Sequence, residues 1–140
     1  MILVIHDPVY FQDVLVAVGT GPDAELRIAR AVKRAGYDVG EPEGLLGLLK
    51  LGNAKGRTVM DKASGAVVVR LRRLQPGDAN DVGHLAHECV HAATMLFDRV
   101  GFPLDTAHDE PLAYYVHFLV RSVLERCGKV TGNKKTWRKK

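Results

Sequence analysis

Residues 87–91, His-Glu-Cys-Val-His, constrain the fold of this chain more than any other segment. Side chains four positions apart in a helix lie one turn apart on the same face, so a helix would stack the two imidazoles. Imidazoles placed in this way can share a metal ion, and a glutamate next to the first can reach a water on that metal. The motif therefore predicts a helix with a zinc site, in which His87 and His91 are ligands and Glu88 is the general base.

The residues around this motif follow the periodicity of a long helix. Asn80 or Asp81 can cap its beginning, and Gly101 follows its predicted end near Val100. One face of the helix is apolar, with Leu85, Cys89, Ala93 and Leu96. The metal motif is thus expected on a helix that packs against the protein core.

A third ligand is expected at the start of the next helix, because a catalytic zinc takes three protein ligands and one water. The candidates are His108, Asp109 and Glu110. Glu110 is favoured because His-His-Glu is a known ligand set and because Asp109 is needed as the helix cap. His84, His108 and Tyr114 are candidate hydrogen-bond donors to the ligands or to the reacting oxygen. This helix is predicted to continue to residue 126, before a glycine.

The first half of the chain alternates short apolar runs with helical segments. Strands are predicted at 2–5, 14–18, 58–60 and 66–71, and helices at 22–35 and 45–51. The expected fold is α+β: a small mixed or antiparallel sheet with an N-terminal helix, the metal helix and a C-terminal helix. The strand at 66–71 is the expected edge for strand addition by a peptide. The predicted core comprises Ile28, Val32, Val69, Leu85, Cys89, Ala93, Leu119 and Val123.

A basic tail dominates the charge of the chain. Residues 129–140 carry six basic side chains and no acidic one, whereas the whole chain has a net charge of +4, so the remainder is at −2. We predict one domain over 1–128 and a tail over 129–140 that is solvated or contacts nucleic acid or another acidic partner. No apolar run reaches the roughly 18 residues of a membrane span. Two cysteines without a paired motif suit a reducing compartment.

Residues 19–24, Gly-Thr-Gly-Pro-Asp-Ala, match a dinucleotide-binding pattern, and Asp38 stands near the position of a ribose-binding acid. Pro22 removes an amide from the helix N-terminus, and Asp23 places negative charge where a pyrophosphate would bind. We therefore interpret this segment as a turn followed by a helix cap.

Three segments resemble small zincin-like proteins encoded by bacteriophages and prophages. They are residues 83–93 (GHLAHECVHAA), 98–104 (DRVGFPL) and 109–114 (DEPLAY), and the N-terminal part with 6–10 (HDPVY) is also similar. More loosely, the two predicted helices look like the core of the gluzincin metallopeptidases. In the positions that match, the resemblance implies a minimal zincin-like fold with His87, His91 and Glu110 as zinc ligands and Glu88 as general base.

The function that the resemblance implies is that of a zinc-dependent metallopeptidase, a hydrolase of phage or prophage origin. It would act on a protein or peptide in the cytoplasm of the bacterial host. The alternative is a virion structural or assembly protein that keeps the zinc site and contacts other phage structural proteins. A third interpretation makes the two histidines ordinary surface side chains of a helix.

Overall fold

The structure, a computed structural model, describes residues 1–7, 9–10, 12–21, 23–38, 42–107 and 109–130. This part of the chain forms an α+β fold with four strands and four helices, as predicted. In chain order they are β1 (Ile2–Ile5), β2 (Val14–Val18), α1 (Ala24–Arg34), α2 (Pro42–Leu49), β3 (Gly56–Met60), β4 (Val67–Leu71), α3 (Ala79–Arg99) and α4 (Glu110–Val130).

The strands form one mixed sheet in the order β1-β2-β4-β3. β2 and β4 are parallel, and each has an antiparallel partner on its outer side, β1 and β3 respectively. The prediction that 66–71 form an edge strand is therefore wrong, since β4 is central and the edge strands are β1 and β3. All five residues of β4 are buried, and a strand covered on both faces needs such a nearly continuous apolar run.

Helices cover both faces of the sheet. Successive strand side chains point to opposite faces, so Val67 and Val69 of β4 pack with α3 and α4, while Val68 packs with α1 and α2. Every residue predicted for the core is buried, namely Ile28, Val32, Val69, Leu85, Cys89, Ala93, Leu119 and Val123. None of the helices among the described residues is long and apolar enough to cross a membrane.

The ends of three helices differ from the predictions. The helix predicted at 45–51 is α2, which spans Pro42–Leu49. Asp78 caps α3, where its carboxylate accepts from the backbone amides of Asn80 and Asp81, so neither of these two residues is the cap. Asp81 is unavailable for capping because its carboxylate accepts hydrogen bonds from the guanidinium of Arg73 and from a backbone amide.

α4 also continues beyond its predicted end, through Gly128 to Val130. A glycine inside a helix costs only about 1 kcal/mol relative to alanine. Packing of the last turn can offset that cost, since Cys127 is buried in the core. Residues 131–140, most of the predicted tail, lie outside the described residues.

Candidate metal centre

The imidazoles of His87 and His91 lie together on the exposed face of α3. Their Nε2 atoms are 3.1 Å apart, and the ring centroids are 4.8 Å apart. Two nitrogens on one tetrahedral zinc, each about 2.0–2.1 Å from the ion, are separated by about 3.4 Å. The observed spacing fits two adjacent ligands of one metal ion. Without a metal, the same contact is a hydrogen bond in which one of the rings donates.

A third ligand is not assembled with this pair. Within the described part of the chain, no group of three His, Cys, Asp or Glu side chains is arranged to hold a metal ion. Glu110 is exposed in the first turn of α4, as is Asp109 just before it, and His108 lies outside the described residues. The described residues thus provide two of the three protein ligands that a catalytic zinc requires. Glu110 as the third ligand stays a prediction.

Glu88 points away from solvent and contacts the edge strand β3. Only 7% of the Glu88 residue is exposed to solvent. The carboxylate Oε2 lies 2.7 Å from the Thr58 hydroxyl, which donates to it, and the same hydroxyl is 3.0 Å from the backbone oxygen of Glu88. A buried carboxylate needs such a partner, because an unpaired one would be costly. Thr58 therefore holds Glu88 in one orientation at the boundary between α3 and β3.

Gly56 completes the contact around Glu88. A Cβ built on Gly56 would lie 2.8 Å from both Cγ and Oε1 of the glutamate, so no larger residue fits without a shift. Gly56 and Thr58 are two positions apart in β3 and hence share one face. Neither residue is among the site residues predicted from the sequence. Their spacing in a strand is the only signal that the sequence carries, and it does not indicate which helix they meet.

Among the described residues no strand pairs with the outer edge of β3, and this free edge presents three residues to an added strand. The amide of Arg72 donates to Lys55, and that of Asp61 to Ala66, so odd-numbered positions of this hairpin bond across to β4. Because bonding alternates along an antiparallel pair, the backbone groups of Gly56, Thr58 and Met60 point outward. The backbone available for strand addition therefore lies beside Glu88.

No protein-family model, curated protein or solved structure was found to match this chain. The zincin-like fold and the phage origin thus stay predictions. Function has to be inferred from the geometry of the chain itself.

Two further candidates, His84 and Tyr114, line clefts whose described lining does not include His87 or His91. His84 is exposed near the start of α3, in a cleft with Asp81 and Arg73. Tyr114 is 70% exposed and lines a different cleft, whose lining includes Asp7 but neither His87 nor His91. The structure therefore does not place Tyr114 as a donor to the metal centre.

Cys89, inside the motif, is not a chemical group of this site. It is 1% exposed in the core. Burial, with a smaller contribution from the charge of Glu88, raises the pKa of its thiol to about 12. A thiol that stays protonated at neutral pH is neither a good nucleophile nor a ready metal ligand.

Proposed function

We propose that the chain is a zinc-dependent metallopeptidase-like protein, of phage or prophage origin, with its reaction centre on α3. The observation that carries the proposal is that α3 presents the paired imidazoles and, directly after His87, the Glu88 carboxylate that contacts the edge strand β3. Peptide hydrolysis at a zinc site uses these three parts: ligands, a general base and a surface that holds an extended substrate. The wider zincin-like fold is part of the same proposal.

Each residue has a defined role in this proposal. His87 and His91 bind zinc through Nε2, and Glu110 is the proposed third ligand. Zinc, when bound, supplies a Lewis acid and lowers the pKa of its water. Glu88 holds the water's proton on its carboxylate and passes it to the leaving amine. Since Glu110 is not gathered with the histidines, the proposal requires the first turn of α4 to approach α3 when metal binds.

The position of β3 supports a peptide as the substrate. An extended segment paired with the outward groups of Gly56, Thr58 and Met60 would pass alongside Glu88. Main-chain hydrogen bonds of this kind bind a peptide largely independently of its sequence. Thr58 contributes both to substrate binding and to catalysis in this proposal. Its backbone faces the free edge that would pair with the peptide, and its hydroxyl orients the general base Glu88.

A second candidate function is a non-catalytic zinc site in a virion structural or assembly protein. Two observations favour it: the imidazole pair is at the surface without a third ligand in the described residues, and Glu88 is buried behind β3. A surface pair of this kind fits a site that another phage protein completes. Zinc would then hold two proteins together, and hydrolysis would be absent.

The deciding experiment measures zinc content and hydrolysis in four purified proteins: wild type, His91→Ala, Glu88→Gln and His6→Ala. His6 belongs to an exposed histidine–aspartate pair after β1, at the other edge of the sheet, and serves as the control. The peptidase proposal expects about one zinc per chain except in His91→Ala, and hydrolysis that Glu88→Gln abolishes without zinc loss.

The other outcomes separate the candidates. Zinc that depends on His91, without hydrolysis of any host or phage protein, favours the structural role. A well-folded wild type that takes up no zinc when it is offered overturns both candidates.

A further inference from the structure

A basic cleft lies next to the metal helix. We use this name for the cavity of about 620 Å³ lined by Lys55, Arg72, Arg73, Asp81 and His84, among others. It opens where the parallel strands β2 and β4 end and where α3 begins. In open sheets with parallel strands, ligands commonly bind beyond the carboxyl ends of those strands.

The acid in the cleft is already neutralised. Asp81 accepts from Arg73 Nε at 2.9 Å and from the backbone amide of Gln75 at 2.9 Å. The Arg73 guanidinium holds the pKa of Asp81 below its usual value, and a backbone hydrogen bond and nearby His84 act in the same direction. Arg73 also bonds to Asp78. This network fixes one wall of the cleft and uses the charge of Arg73.

Within the described part of the chain, two other cations of the cleft have no such partner. Arg72 donates through Nε to the carbonyl of Ala54 and through a terminal nitrogen to that of Gly52, which orients the side chain but leaves its charge uncompensated. Neither Arg72 nor Lys55 is paired with a carboxylate within the described ranges. An oriented arginine beside a free lysine is a suitable receptor for a carboxylate or a phosphate.

The position of the cleft favours a peptide carboxylate over a nucleic-acid phosphate. Lys55 directly precedes Gly56, the first residue of the free edge strand. The described lining of the cleft contains no aromatic side chain on which a base could stack. Proteins that bind single-stranded nucleic acid usually provide such side chains.

We propose that the basic cleft is a specificity pocket for an acidic side chain of the substrate. An extended peptide pairs with β3 and places one Asp or Glu against Lys55 and Arg72, at the end of the strand where Gly56 begins it. The inference rests on the proposed function for the identity of this peptide as a substrate. Binding of an acidic segment by the cleft does not itself require zinc.

The test measures binding of a fluorescent, end-capped peptide of alanine and valine with one central aspartate, and of its asparagine counterpart, to the full chain. Both are measured with and without zinc, by fluorescence anisotropy. Since the asparagine peptide loses a charged hydrogen-bond acceptor, it should bind at least about tenfold more weakly. Lys55→Glu should remove this preference and favour a peptide with a central lysine, whereas Lys33→Glu on α1, outside the cleft, should leave the preference intact.

Failure of this inference and failure of the proposed function are distinguishable. Equal binding of both peptides, or an unchanged preference in Lys55→Glu, overturns the acidic pocket even if zinc-dependent hydrolysis is found. A thymidine oligonucleotide is the competing ligand. The pocket is also overturned, in favour of nucleic acid, if this oligonucleotide displaces the aspartate peptide, binds more tightly than that peptide, and no longer binds to Lys55→Glu. Selective binding of the aspartate peptide, dependent on Lys55, supports the pocket even if no hydrolysis occurs.

Discussion

The hydroxyl of Thr58 donates a 2.7 Å hydrogen bond to the carboxylate of Glu88, and so joins the edge strand β3 to the helix that carries the two histidines. The bond links the two components that a strand-binding peptidase must hold in register, the base and the substrate-binding edge. It also gives a buried charge its polar partner, which makes it important for stability whether or not the protein is an enzyme.

Replacement of Thr58 by valine should therefore destabilise the protein. The shape is kept and the hydroxyl is lost, so the expected cost is about 1–3 kcal/mol, the penalty for leaving a buried polar group unsatisfied. Urea unfolding followed by circular dichroism measures this cost. Thr58→Ser is the control that keeps a donor, and a serine variant as unstable as the valine variant would show that the methyl contact, not the hydrogen bond, matters.

Gly56→Ala should displace the Glu88 side chain. The added Cβ would lie 2.8 Å from Cγ and Oε1 of Glu88, and overpacking of this kind costs roughly 1–3 kcal/mol. The same substitution at Gly83 in α3, where a Cβ meets nothing within 4 Å, should stabilise the protein by about 0.5–1 kcal/mol.

The origin of the Gly56 effect can be tested in a second background. In a Glu88→Ala protein the contacted atoms are absent, so Gly56→Ala should lose most of its cost. Additive losses in the double variant would mean that the strain at position 56 arises elsewhere.

Zinc should stabilise the wild-type chain and leave His87→Ala unaffected. A ligand at a hundredfold excess over its dissociation constant contributes about 2.7 kcal/mol to the folded state, which thermal unfolding detects as a rise in Tm. If Glu110 is the third ligand, Glu110→Gln should weaken zinc binding by at least about tenfold. Unchanged affinity in Glu110→Gln would exclude Glu110 and direct the search to neighbouring residues such as Asp109.

The Arg73–Asp81 pair should make stability depend on pH in the acidic range. Arg73 lowers the pKa of Asp81 in the folded state. The ionised Asp81 therefore stabilises the fold at any pH above its unfolded pKa, about 3.9, and this stabilisation is lost as the pH falls through the lower folded pKa. Asp81→Asn should thus be less stable than wild type at neutral pH, and the difference should shrink on acidification.

Unfolding curves across that pH range measure this difference. Asp78, His84, Lys55 and Arg72 are the other charged or titratable groups near this pair. Asp78→Asn serves as the comparison because it removes the other carboxylate bonded to Arg73, while asparagine can still cap α3. A pH-independent gap between Asp81→Asn and wild type would contradict the assignment.

The helical part of this protein was predictable because its determinants are local. A period of 3.6 residues places His87 and His91 on one face whatever the rest of the chain does, and the structure confirms that they meet. The same periodicity predicted the buried face of α3, including Leu85 and Cys89. The N-cap was misassigned because Asp81, a suitable cap by sequence, is occupied by Arg73 from a preceding loop.

Sequence by itself thus determined the elements, the apolar faces and the pairing of the two imidazoles, since these depend on residues within one or two helical turns. Only the tertiary structure decided that β3, not β4, is the free edge, because strand order follows from the distant pairing of β2 with β4. It alone brought Thr58 and Gly56 to Glu88 and assembled the basic cleft, because those contacts join segments that are far apart in the chain. The local pattern encodes which side chains share a face, whereas long-range packing selects what each face meets.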